Sequence, residues 1–430
     1  MKYYSLNNHD IKTGFKEAAI TGIAKDKGLY FPESIPQLDA DFIANLEDYS
    51  NEEIAYRAIA PFVGDEIPEE KLRQIVAETL SFPFPVVPIR EDVYALELFH
   101  GPTMAFKDVG ARFMSRCLNY FTQGEGKKIT ILVATSGDTG GAVASGFLGV
   151  ENINVVILYP SGKVSDVQEK QLTTLGQNIT ALEVSGNFDD CQDMVKKAFL
   201  DEHLKDVSLT SANSINIARW LPQMFYYFFA YKELKAKGKP LVVSVPSGNF
   251  GNICAGLMAK KIGLPIAHFV ASTNANDTVP RFMGSQKYAP QATVETLSNA
   301  MDVSNPSNFV RVLELFDKEF GPLSSELTSY PFTDAETITA LQKVYAENKY
   351  LCDPHGAVGY LGLKKYMEAH PGYTGVFLET AHPVKFAESI TQNLDIDIAI
   401  PEQIESVLHG KKVAQQISNY EELKDFLLKK

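Results

Sequence analysis

Paired cysteines are missing. Only four occur in 430 residues, Cys117, Cys191, Cys254 and Cys352, far apart and with no C-x-x-C pair. A disulfide framework and a thiolate metal site are therefore not expected, whereas four reduced, buried thiols are. Basic excess is missing too: 40 Lys and Arg stand against 53 Asp and Glu, a formal net charge of −13. A phosphate backbone would find no positive stripe, so nucleic acid is not an expected partner. No run reaches transmembrane length without a charge or turn former, and Met1 to Asp10 holds no apolar signal core. The expectation is a protein with no membrane partner, located in the cytoplasm. The G-x-S-x-G elbow, the H-E-x-x-H helix, the Walker loop and the G-x-G-x-x-G fingerprint are all absent, and the eight histidines are scattered. These absences disfavour the familiar hydrolase, nucleotide and dinucleotide sites, and no metal is expected.

What is present is ordinary globular composition, 45% hydrophobic and 22% charged, at a length suited to two or three domains. Residues 1 to about 85 mix helical patterns with turns. Gly28 to Pro32 reads as a short extended piece, and Pro61 and Pro68 are expected to divide Asn51 to Leu80 into two or three helices. Ser81-Phe82-Pro83-Phe84-Pro85 cannot continue a helix and marks a boundary. Beyond it the apolar runs Ile129 to Thr135, Val155 to Pro160, Ile179 to Val184, Leu241 to Pro246 and Gly375 to Thr380 alternate with helical patterns. That order predicts parallel sheet in an α/β fold. Ala271 to about Thr333 is expected to form loops and short helices, and the last thirty residues a solvated closing helix.

Polar features interrupt this frame. Lys107 stands beside Phe99, Met104, Ala105 and Phe106, just before or within the first turn of a helix marked by Val109, Phe113, Met114, Leu118 and Phe121. An amine held there loses hydration, which favours its neutral form as nucleophile and proton carrier. A snorkelling lysine, or one paired with Asp108, is the alternative. The turns Ser136-Gly137-Asp138-Thr139-Gly140-Gly141 and Ser247-Gly248-Asn249-Phe250-Gly251-Asn252 each join a strand to a helix. Amides at such a helix start suit an anion, a plain tight connection being the alternative. Asn213, Ser214, Asn216 and Arg219 combine neutral donors with a planar cationic fork suited to phosphate, with a surface ion pair as the alternative for Arg219. His355 and His382 are expected to be hydrogen-bonded structural histidines.

Taken in order, HGPTMAFKD, ATSGDTGGA, NSINIAR, PSGNFGN and LETAHPVKF resemble the threonine synthase family, pyridoxal-phosphate enzymes of the tryptophan-synthase-β fold type. The resemblance runs from the opening residues to near the C-terminus. It implies fold type II: two open, mostly parallel sheets flanked by helices, plus a mainly helical N-terminal domain over residues 1–85. A catalytic region over 86–390, with a small subdomain at about 110–210 inserted in the large one, and a closing segment over 391–430 complete the expected organisation. Lys107 is implied to carry pyridoxal 5'-phosphate as an internal aldimine, with Gly248, Asn249, Phe250, Gly251 and Asn252 around the cofactor phosphate and Thr380 at the pyridine nitrogen. Ser136, Gly137, Asp138 and Thr139 match the family's substrate loop, and Asn213, Ser214, Asn216 and Arg219 its distal phosphate site. Asn252 departs from the pattern, standing where related sequences often carry Asp. The implied reaction converts O-phospho-L-homoserine and water to L-threonine and phosphate by γ-elimination and β-addition of water, the last step of threonine biosynthesis. A monomer is the expected state, with a homodimer as the alternative. The rival readings are a serine or threonine dehydratase of the same fold and a catalytically silent relative.

Overall fold

The structure, a computed structural model, describes residues 1–124 and 128–429. At the N-terminus β1 (Tyr3–Ser5), β2 (Lys12–Thr13) and β3 (Tyr30–Pro32) form a small antiparallel sheet in the order β2-β1-β3. Helices Ala40–Ala44, Asn51–Val63 and Glu69–Thr79 follow. Pro61 does not divide them as expected, because it lies in the last turn of Asn51–Val63, where little helix remains to be disrupted. Pro68 does divide them, standing as the N-cap of Glu69–Thr79.

The chain then builds one sheet, leaves it to build another, and returns. β4 (Val86–Arg90) and β5 (Val93–Glu97) begin the first sheet; β6 (Ile129–Ala134), β7 (Ile153–Pro160), β8 (Ile179–Val184) and β9 (Leu209–Thr210) belong to the second. β10 (Leu241–Pro246), β11 (Ile266–Thr273), β12 (Leu327–Pro331) and β13 (Thr374–Glu379) return to the first, and β14 (Gln415–Ile417) ends in the second. The six-stranded sheet has the order β12-β11-β10-β13-β5-β4 and is parallel except between β4 and β5. The five-stranded sheet, β14-β8-β7-β6-β9, is parallel throughout.

Two expectations need correction. The stretch from Ala271 to Thr333 holds the end of β11 and the edge strand β12, not loops and short helices alone. β12 reads Leu-Thr-Ser-Tyr-Pro, and an edge strand tolerates both that polarity and its terminal proline. The last thirty residues are not one solvated helix either: β14 adds an edge to the five-stranded sheet, and helix Tyr420–Leu428 buries Leu423 and Leu427 against its core.

Burial explains the apolar runs. Every residue of β6 and β10 is buried, as expected of strands covered on both faces. Helix Lys107–Thr122 buries Val109, Phe113, Met114, Cys117, Leu118 and Phe121, which lays its first turn against the mouth of the sheet. The aromatic run Phe225 to Phe229 is buried on every side of its helix, and all four cysteines are buried and free. No helix among the described residues is long and apolar enough to cross a membrane. The carboxyl ends of β6, β10 and β13 converge on one cleft, the usual ligand position in open α/β sheets.

Candidate active site

That cleft is a cavity of about 690 Å³, walled by the N-terminal segment Thr21 to Lys27, the lysine loop, the turn after β6 and the turn after β10. Lys107 lines it and is half-buried. The preceding loop is strapped to the end of β13: Leu98 N–H donates to the Glu379 carbonyl at 2.9 Å, Phe106 N–H to the Thr380 carbonyl at 2.9 Å, and His382 N–H to the Met104 carbonyl at 3.1 Å. Asp108 is not the lysine's partner. Its carboxylate accepts the Thr103 amide at 2.9 Å and the Thr103 hydroxyl at 2.6 Å, bracing the loop from within. Burial is the largest influence on the Lys107 amine and brings it down to about 8; Lys385 and Arg219 push the same way, while Asp138 opposes them. About half of the amine is thus neutral at pH 8, and roughly a tenth at pH 7.

After β6, the Thr135 hydroxyl accepts the amides of Gly137 at 2.9 Å and Gly140 at 2.8 Å. Gly137 has φ 133°, and a Cβ there would stand 2.4 Å from Gln168 Cδ, so only glycine fits. Gly137, expected as a substrate contact, lies behind the cavity lining, with its amide bonded to the Thr135 hydroxyl. Ser136, Asp138 and Thr139 do line the cavity. The Asp138 carboxylate accepts from Gln168 Nε2 at 2.9 Å and pairs with Lys385 Nζ at 2.6 Å. Burial alone would raise its pKa; Lys385 and Lys107 outweigh it and hold the group well below the usual carboxylate range.

After β10, Phe250 adopts a left-handed backbone with φ 59°, and helix Gly251–Lys261 opens without a side-chain cap. Its first amides have no preceding turn to bond to. Gly248 packs so closely that a Cβ would lie 2.7 Å from Met301 Cα. Asn252 Oδ1 accepts the hydroxyls of Tyr226 and Tyr227, each at 2.6 Å, while its Nδ2 is buried without a partner. Asn249 Nδ2 donates to the Ser214 hydroxyl at 2.8 Å and Asn249 Oδ1 accepts the Ser307 amide at 2.6 Å, joining this turn to the neighbouring polar cluster.

In that cluster Asn213, Ser214 and Arg219 line the cavity. Arg219 is buried, donates to the Ala212 carbonyl and keeps Nε without a partner. Burial brings its pKa down to about 10, so it remains a cation at neutral pH. Asn216, expected beside those three residues, lies behind the cavity lining. Its Nδ2 donates to the Ala19 carbonyl at 2.8 Å and the Ser211 carbonyl at 3.2 Å, and its Oδ1 accepts Ala218 N–H at 2.9 Å. Those bonds tie the N-terminal domain to the cluster and leave no donor for a ligand.

Thr380 lines the cavity at the end of β13, as do Gly248, Asn249, Phe250, Gly251 and Asn252. Sequence reasoning missed Thr135, Gln168, Asp302 and Lys385. Asp302 lines the cavity, its carboxylate held by Thr296 and Asn274, and burial pushes its pKa up to about 6. Lys385 lies inside the LETAHPVKF motif, but nothing in the spacing of the sequence joins it to Asp138. His355 proved hydrogen-bonded as expected, accepting Ala300 N–H at Nε2 and bonding Asp353 through Nδ1, yet it also lines the cavity.

The residues fit pyridoxal 5'-phosphate. A buried donor without a protein partner, Asn252 Nδ2, lines the same cavity as an uncapped helix start and a desolvated amine. Amides and amide donors suit a phosphate, and the amine suits an aldehyde.

The family described as pyridoxal-phosphate dependent enzyme matches residues 82–379. That described as threonine synthase N terminus matches residues 2–80, and that described as threonine synthase, C-terminal, matches residues 356–427. The threonine synthase of Haemophilus influenzae is 48% identical over 432 residues, spanning 100% of both chains. The crystal structure of threonine synthase from Escherichia coli superposes with a TM-score of 0.94 at 44% identity, covering 100% of both chains. A PLP-bound threonine synthase from Brucella melitensis superposes with a TM-score of 0.92 at 36% identity, over 99% of this chain and 98% of that one.

Proposed function

The chain belongs to the threonine synthase family of pyridoxal-phosphate-dependent enzymes, and from that premise we propose that it converts O-phospho-L-homoserine and water to L-threonine and inorganic phosphate. One observation carries the assignment of residues: a single desolvated amine, Lys107, shares a cavity with two separate groups of anion-suited donors. One is the turn Gly248 to Asn252 at the start of helix Gly251–Lys261; the other is Asn213, Ser214 and Arg219. The first takes the cofactor phosphate and the second the phosphate of the substrate. A substrate without its own phosphate would leave Arg219 a buried cation with no ion-pair partner among the described residues, Asp108 acting on it only from a distance.

Bound covalently through its aldehyde, the cofactor withdraws electrons from the bonds of the carbon attached to it. The protein supplies position and protons. Asn252 Nδ2 and the amides of Gly251 and Asn252 would hold the cofactor phosphate, and the Thr380 hydroxyl would meet the ring nitrogen, which a neutral group would not keep protonated. Ser136 and Thr139 take the substrate carboxylate, while the Asp138 carboxylate, an anion with no hydrogen to donate, cannot, and is held instead through Oδ1 by Lys385 and Gln168. Arg219 and Asn213 neutralise and hold the phosphate as it departs from Cγ. The Lys107 amine would take a proton from Cα and one from Cβ as phosphate departs, and return one to Cγ, which becomes the methyl. Water then adds its hydroxyl at Cβ, Cα regains a proton, and the remaining proton leaves with the phosphate. One base serving several carbons must be close and mobile, which suits an amine on a long stem at the first turn of its helix.

A monomeric enzyme acting in the cytoplasm is the state we propose for the chain. We assign residues 1–85 to the N-terminal domain, 86–390 to the catalytic region and 391–430 to the closing segment. Incubation with O-phospho-L-homoserine tests the reading: phosphate and L-threonine appear in equal amounts. Phosphate without threonine, or ammonia release from serine or threonine in its place, would overturn it.

A further inference from the structure

We propose that Lys385 and Asp138 form a positioning pair for the Lys107 amine, strapping the substrate-type turn to the lysine loop and fixing how much negative charge reaches that amine. The inference rests on the reading of Lys107 as the proton-moving base.

The geometry comes first. Lys385 is 0% and Asp138 4% exposed at the side chain, and their charged atoms stand 2.6 Å apart. Asp138 opens helix Asp138–Phe147 of the five-stranded-sheet lobe, whereas Lys385 lies in the turn Pro383–Phe386 just beyond Thr380. Lys385 Nζ also donates to the Thr103 carbonyl at 2.9 Å, in the loop that Asp108 braces. Gln168 Nε2 holds the same carboxylate oxygen at 2.9 Å, and Gln168 closes the capping box of its own helix. Two segments that wall the cavity, the turn after β6 and the lysine loop, are therefore joined to the stretch beyond Thr380 through one buried ion pair.

Such a pair is a poor device for stability alone, since apolar residues of similar volume in its place are often as stable. Its location supplies the reason for charge. The charged groups acting on the Lys107 amine are Asp138, Lys385 and Arg219. Around Lys385 itself stand Asp138, the Thr103-bound Asp108 and His382, the last pushed down to about 4 by burial and so neutral during turnover. Near neutral pH Asp138 and Arg219 are fixed charges, and Lys107 is the group that changes. With Lys385 in place, the Asp138 charge is shared and partly cancelled. Without it, an unpaired buried carboxylate would draw a proton onto Lys107 and remove the base.

Two single variants and their combination give opposite signs. Lys385→Met deletes a cation, so the midpoint at which kcat rises with pH moves about one unit to the alkaline side. Asp138→Asn deletes the anion and moves it to the acid side. The double variant returns towards the parent, and Lys385→Arg restores the parent midpoint. The pH titration of the visible absorbance of the cofactor-loaded protein, which needs no turnover, shifts in the same directions. Lower kcat in both single variants with both midpoints unchanged would reduce the pair to a structural brace and overturn the proposal. Should Lys385→Met fail to fold, Asp138→Asn decides alone: an acid shift supports the pair and an unmoved midpoint refutes it. Failure of the parent enzyme to form threonine would instead overturn the functional reading, a separate result.

Discussion

The amide of Phe106 donates a 2.9 Å hydrogen bond to the carbonyl of Thr380. The neighbour of Lys107 and the residue that follows β13 are thus held as one unit. The bond uses backbone atoms only, so it survives substitution at either residue.

Thr380→Ala therefore tests the hydroxyl apart from the scaffold. The variant keeps its melting temperature, and its affinity for pyridoxal phosphate falls by about 1 kcal/mol, roughly fivefold, as measured by equilibrium dialysis.

Arg219→Ala removes the cation from the second anion group. A charge-assisted hydrogen bond contributes about 2 kcal/mol, which predicts a loss of roughly thirtyfold in kcat/KM for O-phospho-L-homoserine. Cofactor affinity stays near its parent value, since the turn after β10 is untouched. A dehydratase acting on an unphosphorylated substrate would lose little.

The pH dependence of turnover follows from the direction of the shift at Lys107. Burial first, then Lys385 and Arg219, lower its pKa from 10.5 to about 8, with Asp138 opposing. Only the neutral amine accepts a proton, so kcat rises with pH through about 8 and falls away as a single protonation below it. The same sign applies to stability of the cofactor-free protein: the unfolded amine binds its proton more tightly, so folding gains as pH rises from about 8 towards 10.5. A pH–rate profile of kcat and a series of denaturant midpoints check the two statements.

Gly248→Ala tests the turn by crowding. The added methyl would meet backbone, Met301 Cα at 2.7 Å, and backbone cannot swing aside as a long side chain does. The turn must shift, at a cost of about 1–3 kcal/mol, and cofactor affinity falls roughly tenfold or more by dialysis.

Much of this architecture was legible in the sequence because the strands of both sheets are buried on two faces and read as unbroken apolar runs. Ile129 to Ala134 and Leu241 to Pro246 are found that way, each running into its glycine turn. The edge strands were not legible. Leu327–Pro331 and Gln415–Ile417 are half-covered and mixed in polarity, so their strand character comes from pairing with β11 and β8 rather than from their own residues. Within the site, motif residues were found where chemistry is local to one turn. Asn216 misled because a polar residue between ligand-suited neighbours looks the same whether it serves a ligand or, as here, the Ala19 carbonyl. Lys385 escaped because its meaning lies in a partner on a distant segment, and a pair that only folding brings together leaves no spacing to read.

The claim on which the rest depends is that Lys107 holds the cofactor. Borohydride reduction of the purified, coloured protein, followed by proteolysis and mass mapping, tests it most directly. The expected result is a pyridoxyl-phosphate adduct on the peptide containing Lys107, with the Lys107→Ala variant colourless and unlabelled. An adduct on any other lysine, or visible colour retained in that variant, would contradict the account.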